Sequence, residues 1–254
     1  VSELNPCALM NKLLLSIFIL LSINPSYGAE IRLAVASNFS SAIKLIAARF
    51  EQKTGNRVKI SVGSTGKHYA QIKNGAPFDV FFAADSERPQ LLEKESIALA
   101  GSRFTYAQGK LVLWSPLKDR VDADGQVLKQ GNYNFLAVAN PKLAPYGKAA
   151  QEILLQRGLW ASLGKKMVRG ENIGQTFQFV NSGNAELGFV ALSQIQSPDG
   201  SIPGSFWLVP QQLYTPINQQ AVIVSQNPLA REFMAFIKTA EIRALIQSKG
   251  YETP

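Results

Sequence analysis

The chain has 254 residues, with 26 Lys and Arg against 18 Asp and Glu for a net charge of +8, one histidine and one cysteine. That inventory excludes a disulfide scaffold and a metal site rich in imidazoles or thiols. The basic residues are scattered among acidic ones without interleaved aromatics, which argues against nucleic acid as a partner, although excess positive charge can steer small anions.

Residues 1–28 read as a secretory signal peptide. Lys12 precedes an apolar run over 13–23 broken only by Ser16 and Ser22, and Ser26 and Gly28 supply the small residues of a cleavage site before Ala29. The run is short for a membrane span. Cys7 leaves with this segment, so the exported chain is expected to carry no thiol. The remaining length predicts two lobes.

The mature part opens on the stretch that organises the rest. An apolar run at 31–36 stops at Ser37 and Asn38, and apolar residues recur at Ile43, Ile46, Ala47 and Phe50, one face of a helix. Ser37 and Asn38 both suit an N-cap, so a strand is expected to run straight into a helix start. Such a start presents unpaired N–H groups and partial positive charge, which suits an anion. The alternating 58–62 predicts a second strand, followed by Gly63-Ser64-Thr65-Gly66 and a helix through Tyr69, Ile72 and Lys73 that closes at Asn74-Gly75. A third strand at 79–83 leads through Asp85-Ser86 into a helix through Leu91, Leu92 and Glu95. Alternating strand and helix predict a mostly parallel sheet flanked by helices.

Residues 104–114, with Gly109 inside, predict one long strand leaving the first lobe for the second. The alternation then restarts with a strand at 135–139, a turn at Asn140-Pro141 and a helix opened by Pro145-Tyr146-Gly147 that ends near Gly158. A short strand at Met167-Val168 follows, and Gly170-Glu171-Asn172 opens a helix at Ile173. Strands are expected at 187–192 and 206–209, and the extended 220–225 is expected to pair with 110–114 as a two-stranded hinge. Helices at 229–237 and 241–247 are expected to return to the first lobe. The predicted class is α/β, with lobe 1 formed by 29–108 and 217–254 and lobe 2 by 109–216.

Four strand-to-helix junctions stand out: Ser37-Asn38 and Ser64-Thr65 in one lobe, Tyr146-Gly147 and Asn172-Ile173 in the other. In open parallel sheets ligands sit beyond the carboxyl ends of strands, where these junctions lie. Ordinary capping accounts for any one of them. Two per lobe suit a shared anion better. No Lys, Arg, Asp or Glu occurs in 37–41 or 63–66, so neutral donors would have to meet the charge. Each charge-assisted hydrogen bond contributes roughly 1.5–3 kcal/mol. Donors without an acceptor suit a fully ionised oxyanion.

Enzyme chemistry finds little support. A Ser-His-Asp triad would depend on His68, and there is no Gly-x-Ser-x-Gly elbow. Gly66-Lys67 mimics the end of a phosphate-binding P-loop, but Ser61 stands where the first Gly belongs and His68 where Ser or Thr belongs. His68 is expected to be partly exposed on the helix that starts at Gly66.

The runs Ala36-Ser37-Asn38-Phe39, Gly63-Ser64-Thr65-Gly66 and Asn74-Gly75-Ala76-Pro77-Phe78-Asp79-Val80-Phe81-Phe82-Ala83-Ala84-Asp85 resemble the periplasmic molybdate-binding proteins of ABC importers. So do Gly109-Lys110-Leu111-Val112-Leu113-Trp114, Asn140-Pro141-Lys142-Leu143-Ala144-Pro145-Tyr146-Gly147, Leu187-Gly188-Phe189-Val190-Ala191-Leu192 and Lys249-Gly250-Tyr251. The similarity covers essentially the whole mature chain in collinear order.

The resemblance implies a type II periplasmic-binding-protein fold that closes on molybdate or tungstate, held by hydroxyls and backbone amides without counter-charges or direct metal ligands. It implies a periplasmic monomer without cofactor or catalysis, which hands the oxyanion to the membrane permease of an ABC importer. Carried over, Ser37 donates through hydroxyl and amide, Asn38 through its amide, Thr65 through a hydroxyl usually supplied by Ser, and Tyr146 and Ile173 through backbone N–H groups. One departure is Ala191, because several relatives place a Tyr hydroxyl on the anion from that position. The chain is expected to manage without it, with an added contact from Asn38. Sulfate is the alternative ligand, with the same charge and geometry; phosphate keeps a proton near neutral pH and would need an acceptor.

Overall fold

The computed structural model describes residues 28–197 and 199–254. Apart from Gly28, the expected signal peptide lies outside the described residues. The chain begins with β1 (Glu30–Ala36), a 3₁₀ turn (Ser37–Phe39), α1 (Ser40–Thr54), β2 (Arg57–Gly63), α2 (Thr65–Lys73), β3 (Val80–Ala83), α3 (Glu87–Lys94) and β4 (Phe104–Gly109). It continues with β5 (Leu111–Ser115), α4 (Val127–Gln130), β6 (Leu136–Ala139), α5 (Pro145–Gln156), β7 (Met167–Gly170), α6 (Ile173–Asn181), β8 (Leu187–Ala191), α7 (Leu192–Ile195) and β9 (Ser205–Leu208). It closes with β10 (Ile217–Ile223), α8 (Pro228–Ile237) and α9 (Ala240–Gln247).

The strands form two five-stranded sheets, ordered β2-β1-β3-β10-β4 and β7-β6-β8-β5-β9. In each, three strands run parallel and the crossing strand joins antiparallel, β10 beside β3 and β5 beside β8. Helices cover both faces, so central strands read as continuous apolar runs. Leu33 and Val35 face a core with Ile43, Ile46, Phe50 and Phe233, while Ala34 between them faces Ile72, Phe81 and Leu92. The second sheet divides likewise: Leu113 and Val138 pack with Ile153 of α5, and Val112 and Ala137 with Val180 of α6.

The crossing between the sheets differs from expectation in two respects. Residues 104–114 are not one strand: the chain breaks at Lys110, with β4 in the first sheet and β5 in the second. Nor does 220–225 pair with 110–114; β10 runs antiparallel to β3 and β4, with Gln220 opposite Ala83 and Thr105. The reason is burial. Ala221 and Ile223 join one core of the first lobe and Val222 the other, contacts that a ribbon standing between the lobes would forgo. The two-stranded crossing lies at the end of that pairing, where Gly109 meets Ile217.

Candidate functional site

All four junctions meet in one place. Ser37, Asn38, Ser64, Thr65, Tyr146, Asn172 and Ile173 line a small cleft between the lobes together with Ala36, Gly63, Ala84, Ala144 and Pro145. The structure thus brings together every residue the sequence put forward: Ser37, Asn38, Thr65, Tyr146 and Ile173.

At the first junction the N-cap is Ala36, which has no side-chain cap bond, so Ser37 does not cap as expected. Ser37 instead begins the 3₁₀ turn, and its Oγ accepts a hydrogen bond from Gly174 N–H of the opposite lobe at 3.0 Å. The turn is held by Phe39, fully buried with its ring 4.6 Å from Tyr106 and 5.9 Å from Phe82. Burying such a ring contributes roughly 1.5–3 kcal/mol and anchors the turn against the first lobe's core. The Asn38 side chain faces elsewhere: its Nδ2 donates to Gln219 Oε1 at 2.8 Å and Tyr251 Oη at 3.0 Å. Its buried Oδ1 has no hydrogen-bond partner among the described residues. The Asn38 carboxamide N–H groups are thus spent on Gln219 and Tyr251, which leaves its backbone N–H for the expected contact with the anion.

At the second junction Ser64 is the true N-cap of α2, accepting from Lys67 N–H at 3.3 Å. Thr65 is 1 % exposed, and its Oγ1 accepts from Ala84 N–H at 3.1 Å, which leaves the hydroxyl proton to donate. In the opposite lobe α5 starts at Pro145, and Tyr146 N–H is among the helix's first donors, without an intrahelical acceptor. Asn172 caps α6 by accepting from Gln175 N–H at 2.9 Å, so Ile173 N–H is likewise unclaimed by the helix.

Among the described residues, no carboxylate, ammonium, guanidinium or imidazole lines the cavity. Its one phenol, Tyr146, is pushed well above the ordinary tyrosine range by burial. The arrangement sets residues of four strand-to-helix junctions, two in each lobe, around a single small space, with hydroxyl and backbone donors among them.

Comparison with known proteins gives this arrangement a family. A model of the bacterial extracellular solute-binding proteins matches residues 31–252. The molybdate-binding protein ModA of Azotobacter vinelandii is 50 % identical over 226 residues, 88 % of this chain and 90 % of that protein. The ModA of Rhodobacter capsulatus is 44 % identical over 232 residues, 90 % of each chain. The chain belongs to this family of solute-binding proteins. The solved structure of the Azotobacter vinelandii periplasmic molybdate-binding protein superposes with a TM-score of 0.86 at 43 % identity, covering 88 % of this chain and 99 % of that one.

Within the family frame, Ala191 is the fully buried last residue of β8, its N–H donating to Gln194 Oε1 at 3.0 Å, and it does not line the cavity. His68 is corrected outright. It is 3 % exposed, its Nδ1 lies 3.1 Å from Gln71 Oε1, and its ring meets Phe78 and Phe81 edge-on. The isolated helix pattern hid this because His68 fills the space left by Gly63, where a Cβ would lie 2.9 Å from Nε2. Sequence reasoning also missed Gly174 and Gln219. Gly174 follows Ile173 directly and is signalled by position, whereas nothing local marks Gln219.

Proposed function

We propose that this protein is an extracytoplasmic receptor that captures molybdate in the interlobe cavity and delivers it to an ABC importer. The observation that carries the reading is the cavity itself, lined by Ser37, Asn38, Thr65, Tyr146 and Ile173 without an ionised side chain. Hydroxyls from Ser37 and Thr65 and backbone N–H groups from Ser37, Asn38, Tyr146 and Ile173 hold the oxyanion, supported by the partial positive charge of the helix starts. Tungstate shares the charge and tetrahedral shape of molybdate and is proposed as a second ligand. The protein acts as a monomeric periplasmic receptor without catalysis, cofactor or nucleic-acid partner, and the oxyanion itself is its cargo. Lobe 1 comprises residues 29–108 and 217–254, and lobe 2 residues 109–216.

Calorimetric titration of the purified protein with molybdate, tungstate, sulfate and phosphate tests this. Molybdate and tungstate are expected to bind tightly, with sulfate far weaker and phosphate silent at neutral pH. Sulfate binding as tight as molybdate would make the protein a general tetrahedral-oxyanion receptor instead.

A further inference from the structure

Behind the cavity the ladder between β4 and β10 is irregular. Gln219 faces Ala107 and Gln220 faces Thr105, which leaves Tyr106 as the extra residue of a bulge. Gln219 is fully buried. Its Oε1 accepts from Asn38 Nδ2 at 2.8 Å and from Tyr106 Oη at 3.0 Å, and its Nε2 donates to Tyr146 Oη at 3.1 Å. Asn38 and Tyr106 belong to the first lobe, Tyr146 to the second. One carboxamide therefore holds the side chains of two cavity residues, one from each lobe, while itself standing outside the cavity lining. Gly109 makes the room: a Cβ there would lie 2.0 Å from Tyr146 Oη and 2.6 Å from Gln219 Nε2.

Gln219 belongs to the first sheet and Tyr146 to the second, so of the three bonds of this carboxamide Nε2–Oη is the one that spans the lobes and is strained when they part. Breaking it leaves buried polar groups without partners, which is unfavourable wherever water cannot replace them. The closed arrangement satisfies the carboxamide and, through Asn38 and Tyr146, sets two backbone donors at once.

We propose that Gln219 is a positioning residue that couples lobe closure to the placement of the Asn38 and Tyr146 backbone donors. The inference rests on the oxyanion reading above. Its mechanism is mechanical rather than ligating: Gln219 never touches the anion, and reaches it only through the two residues it holds.

The test is molybdate calorimetry and small-angle scattering on Gln219→Leu, Tyr146→Phe and the double variant, with ligand-free melting temperatures alongside. Tyr146→Phe keeps the backbone N–H and removes only the phenol that Gln219 reaches. Each single variant is expected to weaken molybdate binding about tenfold and to compact less on binding. The double variant should be no weaker than Gln219→Leu, because both changes remove the same bond. A Gln219→Leu protein that melts earlier but binds and compacts like the parent overturns the proposal, as do additive losses in the double variant. If Gln219→Leu does not fold, Tyr146→Phe decides alone: parental affinity and compaction overturn the proposal, and a tenfold loss with reduced compaction supports it. A parent that fails to bind molybdate overturns the oxyanion reading and this inference together, whereas a binding parent with unaffected variants overturns this inference only.

Discussion

Ser37 Oγ accepts a hydrogen bond from Gly174 N–H at 3.0 Å, so the hydroxyl at the end of β1 closes directly on the helix start of the opposite lobe. With the oxygen already accepting, the Ser37 proton is the part left to donate into the cavity. The same pair sets how closely the lobes approach, because Gly174 has no side chain between them.

Gly174→Ala is expected to hold the lobes apart. A Cβ there would lie 3.1 Å from Ser37 Cβ and 3.0 Å from Asn172 Oδ1, so the lobes or the cap must yield by a few tenths of an ångström. The expected result is a loss of about 1 kcal/mol in molybdate affinity, roughly fivefold, with little change in the ligand-free melting temperature. Calorimetry decides; an unchanged dissociation constant would mean that the lobes close without this contact.

Ser37→Ala and Thr65→Ala separate ligation from structure. Each removes a hydroxyl donor, with an expected affinity loss of roughly 1.5–3 kcal/mol, about ten- to a hundredfold. Their stabilities should differ. Ser37 caps nothing within its own lobe, so the ligand-free protein should melt like the parent. Thr65 satisfies the buried Ala84 N–H, so its loss should cost about 1–3 kcal/mol of stability as well. Parental affinity in both variants would remove these hydroxyls from the site.

Affinity and stability should respond differently to pH. No group lining the cavity titrates near neutrality, so the molybdate dissociation constant should stay flat from pH 6 to 8. His68 has its pKa lowered, chiefly by burial, partly offset by Gln71. The folded state then binds fewer protons than the unfolded state once the pH falls below the ordinary histidine value of about 6.5. Stability contributed by neutral His68 is therefore full above that value and lost as the pH drops toward the folded pKa. Melting temperature scanned from pH 7.5 to 5 should fall less steeply in His68→Gln than in the parent. A parallel affinity loss in that range would instead place His68 in binding.

Molybdate should compact the protein. The lobes are joined by Gly174 N–H on Ser37 Oγ, Gly66 N–H on Leu143 O at 2.9 Å, Arg88 Nη2 on Lys142 O at 2.9 Å, Gln219 Nε2 on Tyr146 Oη at 3.1 Å, and the Lys67–Glu171 ion pair among others. The exposed ion pair is worth at most about 1 kcal/mol, and an anion filling donors from both lobes is expected to add to the hydrogen bonds that favour closure. Small-angle scattering should show the radius of gyration falling on molybdate addition. An identical radius with and without molybdate would sink the closure model.

Much of this site was legible because its parts are local. Ser37-Asn38, Ser64-Thr65, Tyr146 and Asn172-Ile173 each sit where an apolar run gives way to a helical period, and a helix start exposes its first N–H groups wherever it occurs. What capping chemistry could not tell is which oxygen does which task. Ser64 caps α2 and Asn172 caps α6, while Ser37, equally suitable on paper, reaches across the cleft.

Periodicity and capping along the chain specify two sets of strand-helix alternations, the uncharged junctions that end them and the covered runs of the parallel strands; each sheet is completed as a mixed one by two antiparallel pairings. The alternations and junctions follow from periodicity and from the backbone donors every helix start exposes. Tertiary structure alone decided the partner of β10, the burial of His68 in the space beside Gly63, and the turning of Asn38 toward Gln219. Each depends on residues far apart in the chain, 181 positions in the case of Asn38 and Gln219. Local periodicity carries no record of which distant side chain will satisfy a buried polar group; packing chooses it.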